Sequence, residues 1–115
     1  MQVLIILNDP PYGTERSYNG LRLATNLIKQ EETELTVFLM AEAVFCAKTG
    51  QTTPDGYYNL ERMLKPIVRR GKVLLCGTCM DARGLAESEL VEGARRSTMV
   101  ELTALTLSSD RVLVF

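Results

Sequence analysis

Val3-Leu4-Ile5-Ile6-Leu7 is an unbroken apolar run, and Asn8-Asp9-Pro10-Pro11 ends it at once with turn formers. A run this short and apolar at every position suits a strand buried on both faces of a parallel sheet, where both rows of side chains meet covering helices. Beyond the prolines the period changes. Tyr18, Leu21, Ala24, Leu27 and Ile28 recur at three- and four-residue intervals, which predicts a helix with one apolar stripe ending near Gln30. Thr14 is its expected N-cap, with Glu15 near the positive end of the helix dipole. Leu35-Thr36-Val37-Phe38-Leu39-Met40 then reads as a second strand.

The same alternation continues to the last residue. Ala41 to Ala47 is a short helix carrying Phe45 and Cys46, and Lys48 to Gly56 is a loop long enough to act as a lid. Leu60, Met63, Leu64, Ile67 and Val68 form the cleanest helical stripe, capped by Asn59 and ended by Gly71, with a kink expected at Pro66. Val73-Leu74-Leu75-Cys76 is a third strand and Arg111-Val112-Leu113-Val114-Phe115 a fourth. Between them the sequence predicts a helical turn near Glu87 to Leu90. A helix through Met99, Val100, Leu102, Leu105 and Leu107 follows, opened by a Thr98/Glu101 capping box. That helix is apolar around much of its circumference, so part of it is expected to face another subunit.

These elements predict one three-layer α/β domain over residues 1–115, a parallel sheet with helices on both faces. The expected order of the four strands is 2-1-3-4, with room for one further short strand. That order places a switch point between the first and third strands, so a site is expected between the loop Asn8 to Gly13 and the segment Cys76 to Gly84.

Composition excludes more chemistry than it admits. The chain has 115 residues, 46% hydrophobic and 23% charged, enough to bury a core without disulfide staples. Thirteen Lys and Arg against 14 Asp and Glu leave a net charge of −1 with no charged block, which speaks against direct nucleic-acid binding. With no histidine, Ser-His and Cys-His nucleophile pairs, His-ligated zinc and imidazole shuttles are all excluded. No apolar run approaches the roughly 18 residues of a membrane span. Three cysteines, an odd count, and no export leader favour a reducing cytoplasm over a disulfide framework. No nucleotide motif is present, no cofactor is implied, and three thiols without histidine leave a zinc site incomplete.

The chemistry that remains lies in Cys76-Gly77-Thr78-Cys79-Met80-Asp81-Ala82-Arg83-Gly84, at the carboxyl end of a buried strand. A thiolate there would be stabilised by Arg83, loop amides and the start of a helical turn, with Gly77 and Gly84 letting the backbone present N–H groups. From spacing alone, an inert buried pair and a reactive pair are equally well supported. Asn8, Tyr12 and Gly13 on the first loop, with Gly77, Thr78 and Gly84 on the second, are the expected pocket lining. Asp9 is read as shaping the turn, and Cys46 as core.

At these residues the chain resembles the DsrE/DsrF-like family, in its small YchN-like branch. The likeness is carried by Asn8-Asp9-Pro10-Pro11-Tyr12-Gly13-Thr14-Glu15, Leu21-Arg22-Leu23-Ala24, Val37-Phe38-Leu39-Met40, the Leu75 to Gly84 segment and the closing Leu107 to Phe115. It implies a parallel α/β fold, a trimer or hexamer, and sulfur carried as a cysteine persulfide between donor and acceptor proteins. In sulfur-carrying members the working cysteine lies eight positions before the glycine of an Arg-Gly pair, which is Cys76 counted back from Gly84. Cys79 matches the additional cysteine of the YchN-like branch. Three functions remain open: a sulfur carrier or sulfurtransferase on Cys76 assisted by Cys79 and Arg83, a thiol–disulfide module using both cysteines, and an oligomeric small-ligand-binding protein.

Overall fold

The computed structural model describes every residue from Met1 to Phe115. Five strands, β1 (Gln2–Leu7), β2 (Glu34–Leu39), β3 (Lys72–Cys76), β4 (Arg95–Ser97) and β5 (Arg111–Val114), alternate with helices α1 (Arg16–Leu27), α2 (Leu60–Arg70), α3 (Gly77–Ala82) and α4 (Met99–Ser108). Ala41–Ala47 and Glu87–Glu89 form 3-10 turns. Every strand pairing is parallel, in the order β4-β3-β2-β1-β5.

The fold class matches the sequence reading, but the strand order does not. The expected order would have put β3 beside β1 and left β2 at an edge; instead β2 lies between β1 and β3, and β5 takes the other side of β1. Burial explains the choice. β2 is buried at Leu35, Thr36, Val37, Phe38 and Leu39, so an edge position would waste it, whereas all four residues of β5 are exposed. The extra short strand is β4, whose sequence Arg95-Arg96-Ser97 carries no apolar pattern.

Alternation along the strands divides the interior in two. Val3, Ile5, Leu7, Leu35, Val37, Leu39, Val73 and Leu75 point into a core of 21 buried residues shared with α1, α2 and the Ala41–Ala47 turn. Leu4, Phe38, Leu74 and Cys76 point to the opposite face, where Leu102 of α4 is the one further buried member of the cluster. That second face is thinly covered. Met99, Val100 and Leu107 of α4 and Val112, Leu113 and Val114 of β5 remain exposed.

The helix ends follow the local sequence signals in some places and depart from them in others. Asn59 caps α2 by accepting the Arg62 N–H at 3.0 Å, and Gly71 ends the helix. The helix runs unbroken through Pro66, and the carbonyl that the proline leaves unbonded belongs to Arg62, an exposed residue. Thr14 is not the cap of α1: its hydroxyl donates to the Asp9 carboxylate at 2.9 Å, and the helix starts after Glu15 with no side-chain cap. The last helix has half its expected capping box. Thr98 accepts the Glu101 N–H at 3.1 Å, but the Glu101 carboxylate is drawn to Arg95 and Ser97.

Candidate functional site

Cys76 is the last residue of β3 and the N-cap of α3, so the strand delivers its sulfur to the first turn of a helix. The sulfur accepts the Cys79 N–H at 3.3 Å. Cys79, one turn on and half-buried, has its own sulfur hydrogen-bonded by the Ala41 N–H at 3.2 Å. Ala41 adopts φ +51°, the one left-handed non-glycine residue of the chain, and so sits in a conformation that costs an L-residue energy. Two sulfur atoms are thus each fixed by a backbone amide donor, and the second donor comes from the loop after β2.

Burial pushes the Cys76 thiol above the ordinary range, and the neighbouring Cys79 thiol adds to this; the Cys79 and Thr78 amides pull the other way. Cys46 differs in kind. It lies fully buried among α1 and the 3-10 turn, and burial pushes its thiol up to about 12, which makes it core, as its sequence setting implied.

Arg83 does not take the position expected for it. Its Nε donates to Glu42 at 3.1 Å and its Nη1 to the Cys79 carbonyl at 3.1 Å, because the Glu42 carboxylate on the Ala41–Ala47 turn competes for it. The cation packed on the Cys76–Gly77 turn is Arg96, which sequence reasoning missed. Its guanidinium forks onto Asp81 with two bonds of 2.7 Å and lies where a side chain at Gly77 would be. The strand that presents it is too short and too charged to show in a periodicity.

The two loops expected to face each other are separated by β2. Cys76, Gly77, Thr78, Cys79, Arg83 and Gly84 share one turn and its exit, with Gly84 at φ +64°. Asn8 instead ties β1 to the chain end, its Nδ2 donating to the Phe115 carbonyl at 3.1 Å. Tyr12 donates to Gln51 at 2.6 Å and accepts the Leu60 N–H at 3.1 Å, while its ring stacks on Tyr58 at 5.8 Å. Gly13, at φ +97°, lies in the left-handed region within the first loop. The Lys48 to Gly56 loop is likewise no lid over the cysteines. Gln51 fastens it to the carbonyls of Phe45, Cys46 and Lys48, and Asn59 donates to the Gln51 carbonyl.

A cleft of about 310 Å³ opens at the amino ends of β1 and β2 beside Arg70 and Lys72, and another of about 340 Å³ lies along α2 beside Val91; neither is lined by Cys76 or Cys79. No group of three or more His, Cys, Asp and Glu side chains gathers to hold a metal ion. No helix is long and apolar enough to cross a membrane.

The DsrE/DsrF-like family model matches residues 1–115. This chain belongs to the DsrE/DsrF-like family. Among its relatives, the Escherichia coli protein YchN is 41% identical over 116 residues, covering 99% of this chain and 98% of YchN. An uncharacterized protein of Methanocaldococcus jannaschii is 39% identical over the full length of both. The crystal structure of E. coli YchN superposes with a TM-score of 0.94 over 99% of this chain and 98% of that one. A protein of unknown function from Methanobacterium thermoautotrophicum shares the fold at TM-score 0.75 and 15% identity, over 99% of this chain and 97% of that one. In this chain the β4-β3-β2-β1-β5 sheet sets Cys76 at the carboxyl end of β3, with Cys79 one turn on.

Proposed function

We propose that this chain is a sulfur-relay protein of the cytoplasm in which Cys76 carries sulfur as a persulfide. The observation that carries the reading is the Cys76–Cys79 turn, where each sulfur is fixed by an amide donor from a different segment. A relay needs a thiol that attacks a donor persulfide and then presents its outer sulfur, and no general base is required if the leaving thiol takes the proton. The Cys76 sulfur bonds to the outer sulfur of the donor persulfide as the donor S–S bond breaks. The proton of Cys76 passes to the departing donor thiolate, so a persulfide and a thiol become a thiol and a persulfide with no external oxidant. The acceptor protein repeats the step on Cys76.

Exposed Met99, Val100 and Leu107 on α4 and exposed Val112 and Val114 on β5 support assembly into a homo-oligomer, and the family resemblance implies a trimer or hexamer. Light scattering at micromolar concentration tests this, and a monomer refutes it. The proximity of Cys79 to Cys76 favours a second reading, a thiol–disulfide module, in which the pair closes an intramolecular bond as a partner disulfide is reduced to two thiols.

Intact-mass measurement after incubation with a cysteine desulfurase and free cysteine tests the first reading. The wild-type chain gains one sulfur, and Cys76→Ser gains none. Loading that survives Cys76→Ser overturns it, and a Cys76–Cys79 disulfide without sulfur gain supports the second reading.

A further inference from the structure

β4 carries two adjacent arginines, and each is forked onto a carboxylate of a different helix. Arg95 reaches Glu101 of α4 at 3.0 and 2.7 Å, whereas Arg96 reaches Asp81 of α3 with both bonds at 2.7 Å. The Arg96 guanidinium also lies across Gly77: a Cβ there would stand 2.7 Å from its Nε and 2.9 Å from its Cζ. Ladder pairing sets Arg96 beside Leu75 and Ser97 beside Cys76. We infer that Arg96 is a positioning residue: gripped by Asp81 and seated in the slot that Gly77 leaves, it holds the Cys76–Cys79 turn closed so that the Cys79 amide stays on the Cys76 sulfur. The inference deepens the reading of Cys76 as the working thiol and rests on it.

Length and geometry give the clamp its purpose. α3 has six residues, too few to hold its own first turn. Its remaining tethers are Met80 in the core, the Ala41 N–H on the Cys79 sulfur, and Arg83, whose Nη1 donates to the Cys79 carbonyl; none of them reaches Gly77 or the Cys76 sulfur. Both partners of the fork are partly exposed, at 42% and 65%, so its Coulomb attraction is weak and its contribution is directional. A bidentate fork fixes the orientation of two planes, which a lysine cannot do.

The groups that face Cys76 are few. The Cys79 thiol and the Cys79 and Thr78 amides come from α3, and the Arg96 charge comes from β4, itself faced by Asp81 and Glu87. The sheet face and α4 supply Leu4, Phe38, Leu74 and Leu102, which carry no charge. Opening the fork frees the turn, lengthens the amide–sulfur bond and removes a donor that favours the thiolate.

The test is the pH dependence of iodoacetamide alkylation at Cys76 in the full chain, read cysteine by cysteine by peptide mass spectrometry, with no sulfur donor present. Asp81→Asn and Arg96→Gln are expected to move the midpoint up by about one unit, about tenfold slower labelling at a pH below it. Arg96→Lys keeps the charge without the fork and moves it as well. Arg95→Gln breaks the sister pair on the same strand and leaves it unmoved. Labelling in Asp81→Asn and Arg96→Gln that stays within twofold of wild type overturns the inference, as does an equal shift in Arg95→Gln or full rescue by Arg96→Lys. Asp81 is exposed, so its isosteric variant reports from a folded chain, which circular dichroism verifies. A wild-type chain that takes up no sulfur while the variants still shift the midpoint removes the relay and leaves the clamp; wild-type loading with midpoints unaltered in the variants removes the clamp and leaves the relay.

Discussion

Replacing Ala41 by glycine is expected to make the protein more stable while leaving the cysteines as they are. At φ +51° the alanine Cβ crowds the following carbonyl, which costs an L-residue about 1–2 kcal/mol. Glycine escapes that cost but brings a freer unfolded chain, which returns about 0.4–1 kcal/mol. The net gain is centred on about 0.8 kcal/mol, within about 0–1.6. For 115 residues the unfolding entropy near the midpoint is about 0.24 kcal/mol/K, so the central gain appears as a rise in Tm of about 3 °C. Glycine keeps the backbone N–H that reaches the Cys79 sulfur at 3.2 Å, so thiol labelling at Cys79 should be unchanged. The assay is thermal unfolding by circular dichroism at one fixed protein concentration, since association alone shifts Tm. Ala41→Val, branched at Cβ, should move Tm down. A glycine variant that melts at or below the wild-type temperature refutes the claim that this residue is strained.

Three further outcomes follow from the packing and the charges. Gly71→Ala would bring a Cβ within 2.6 Å of the Leu35 carbonyl oxygen, a backbone atom that cannot step aside, and should cost about 1–3 kcal/mol in urea unfolding. The fork from Arg95 and the Ser97 hydroxyl hold the Glu101 carboxyl down to about 2 from an ordinary 4.5. The stability this brings is present above pH 4.5 and lost as pH falls through about 2. With the pair 50% and 35% exposed it amounts to no more than about 1 kcal/mol, and Glu101→Gln should flatten that part of an acid unfolding profile. Cys46, raised from 9.0 to about 12, should resist alkylation in the folded chain and react in step with global unfolding; because the unfolded thiol ionises first, it should also make stability decline as pH rises between those values. Labelling of Cys46 as fast as Cys79 under native conditions refutes its assignment to the core.

The parts of the fold that were legible are those whose burial is written in consecutive residues. Val3 to Leu7, Leu35 to Leu39 and Val73 to Cys76 are apolar at nearly every position because each strand has neighbours on both sides and layers on both faces. Order among strands is a long-range choice, and it turned on how exposed Arg111 to Val114 can afford to be, which adjacent residues do not reveal. The two cysteines were legible as a pair from their spacing after a strand, and both fall on one turn. The partners of that turn were not. Arg83 and Arg96 are both cations with a carboxylate within reach, and only the ladder between β3 and β4 brings Arg96 to the Gly77 side. Thr14, Asp9 and Ser17 show the same limit at short range, since the Thr14 hydroxyl found Asp9 and the Ser17 hydroxyl found the Asp9 carbonyl rather than the helix start.

Side chains along β3 alternate between two very different surroundings, and the parity of Cys76 places its sulfur with Leu4, Phe38 and Leu74 on the face that carries α4 alone. One residue fewer in that strand would turn the sulfur toward the side where Cys46 already lies sealed. A single-residue deletion between Val73 and Leu75 would therefore silence this thiol without touching a cysteine: chemical identity here is inherited from counting, odd or even, along five residues of backbone.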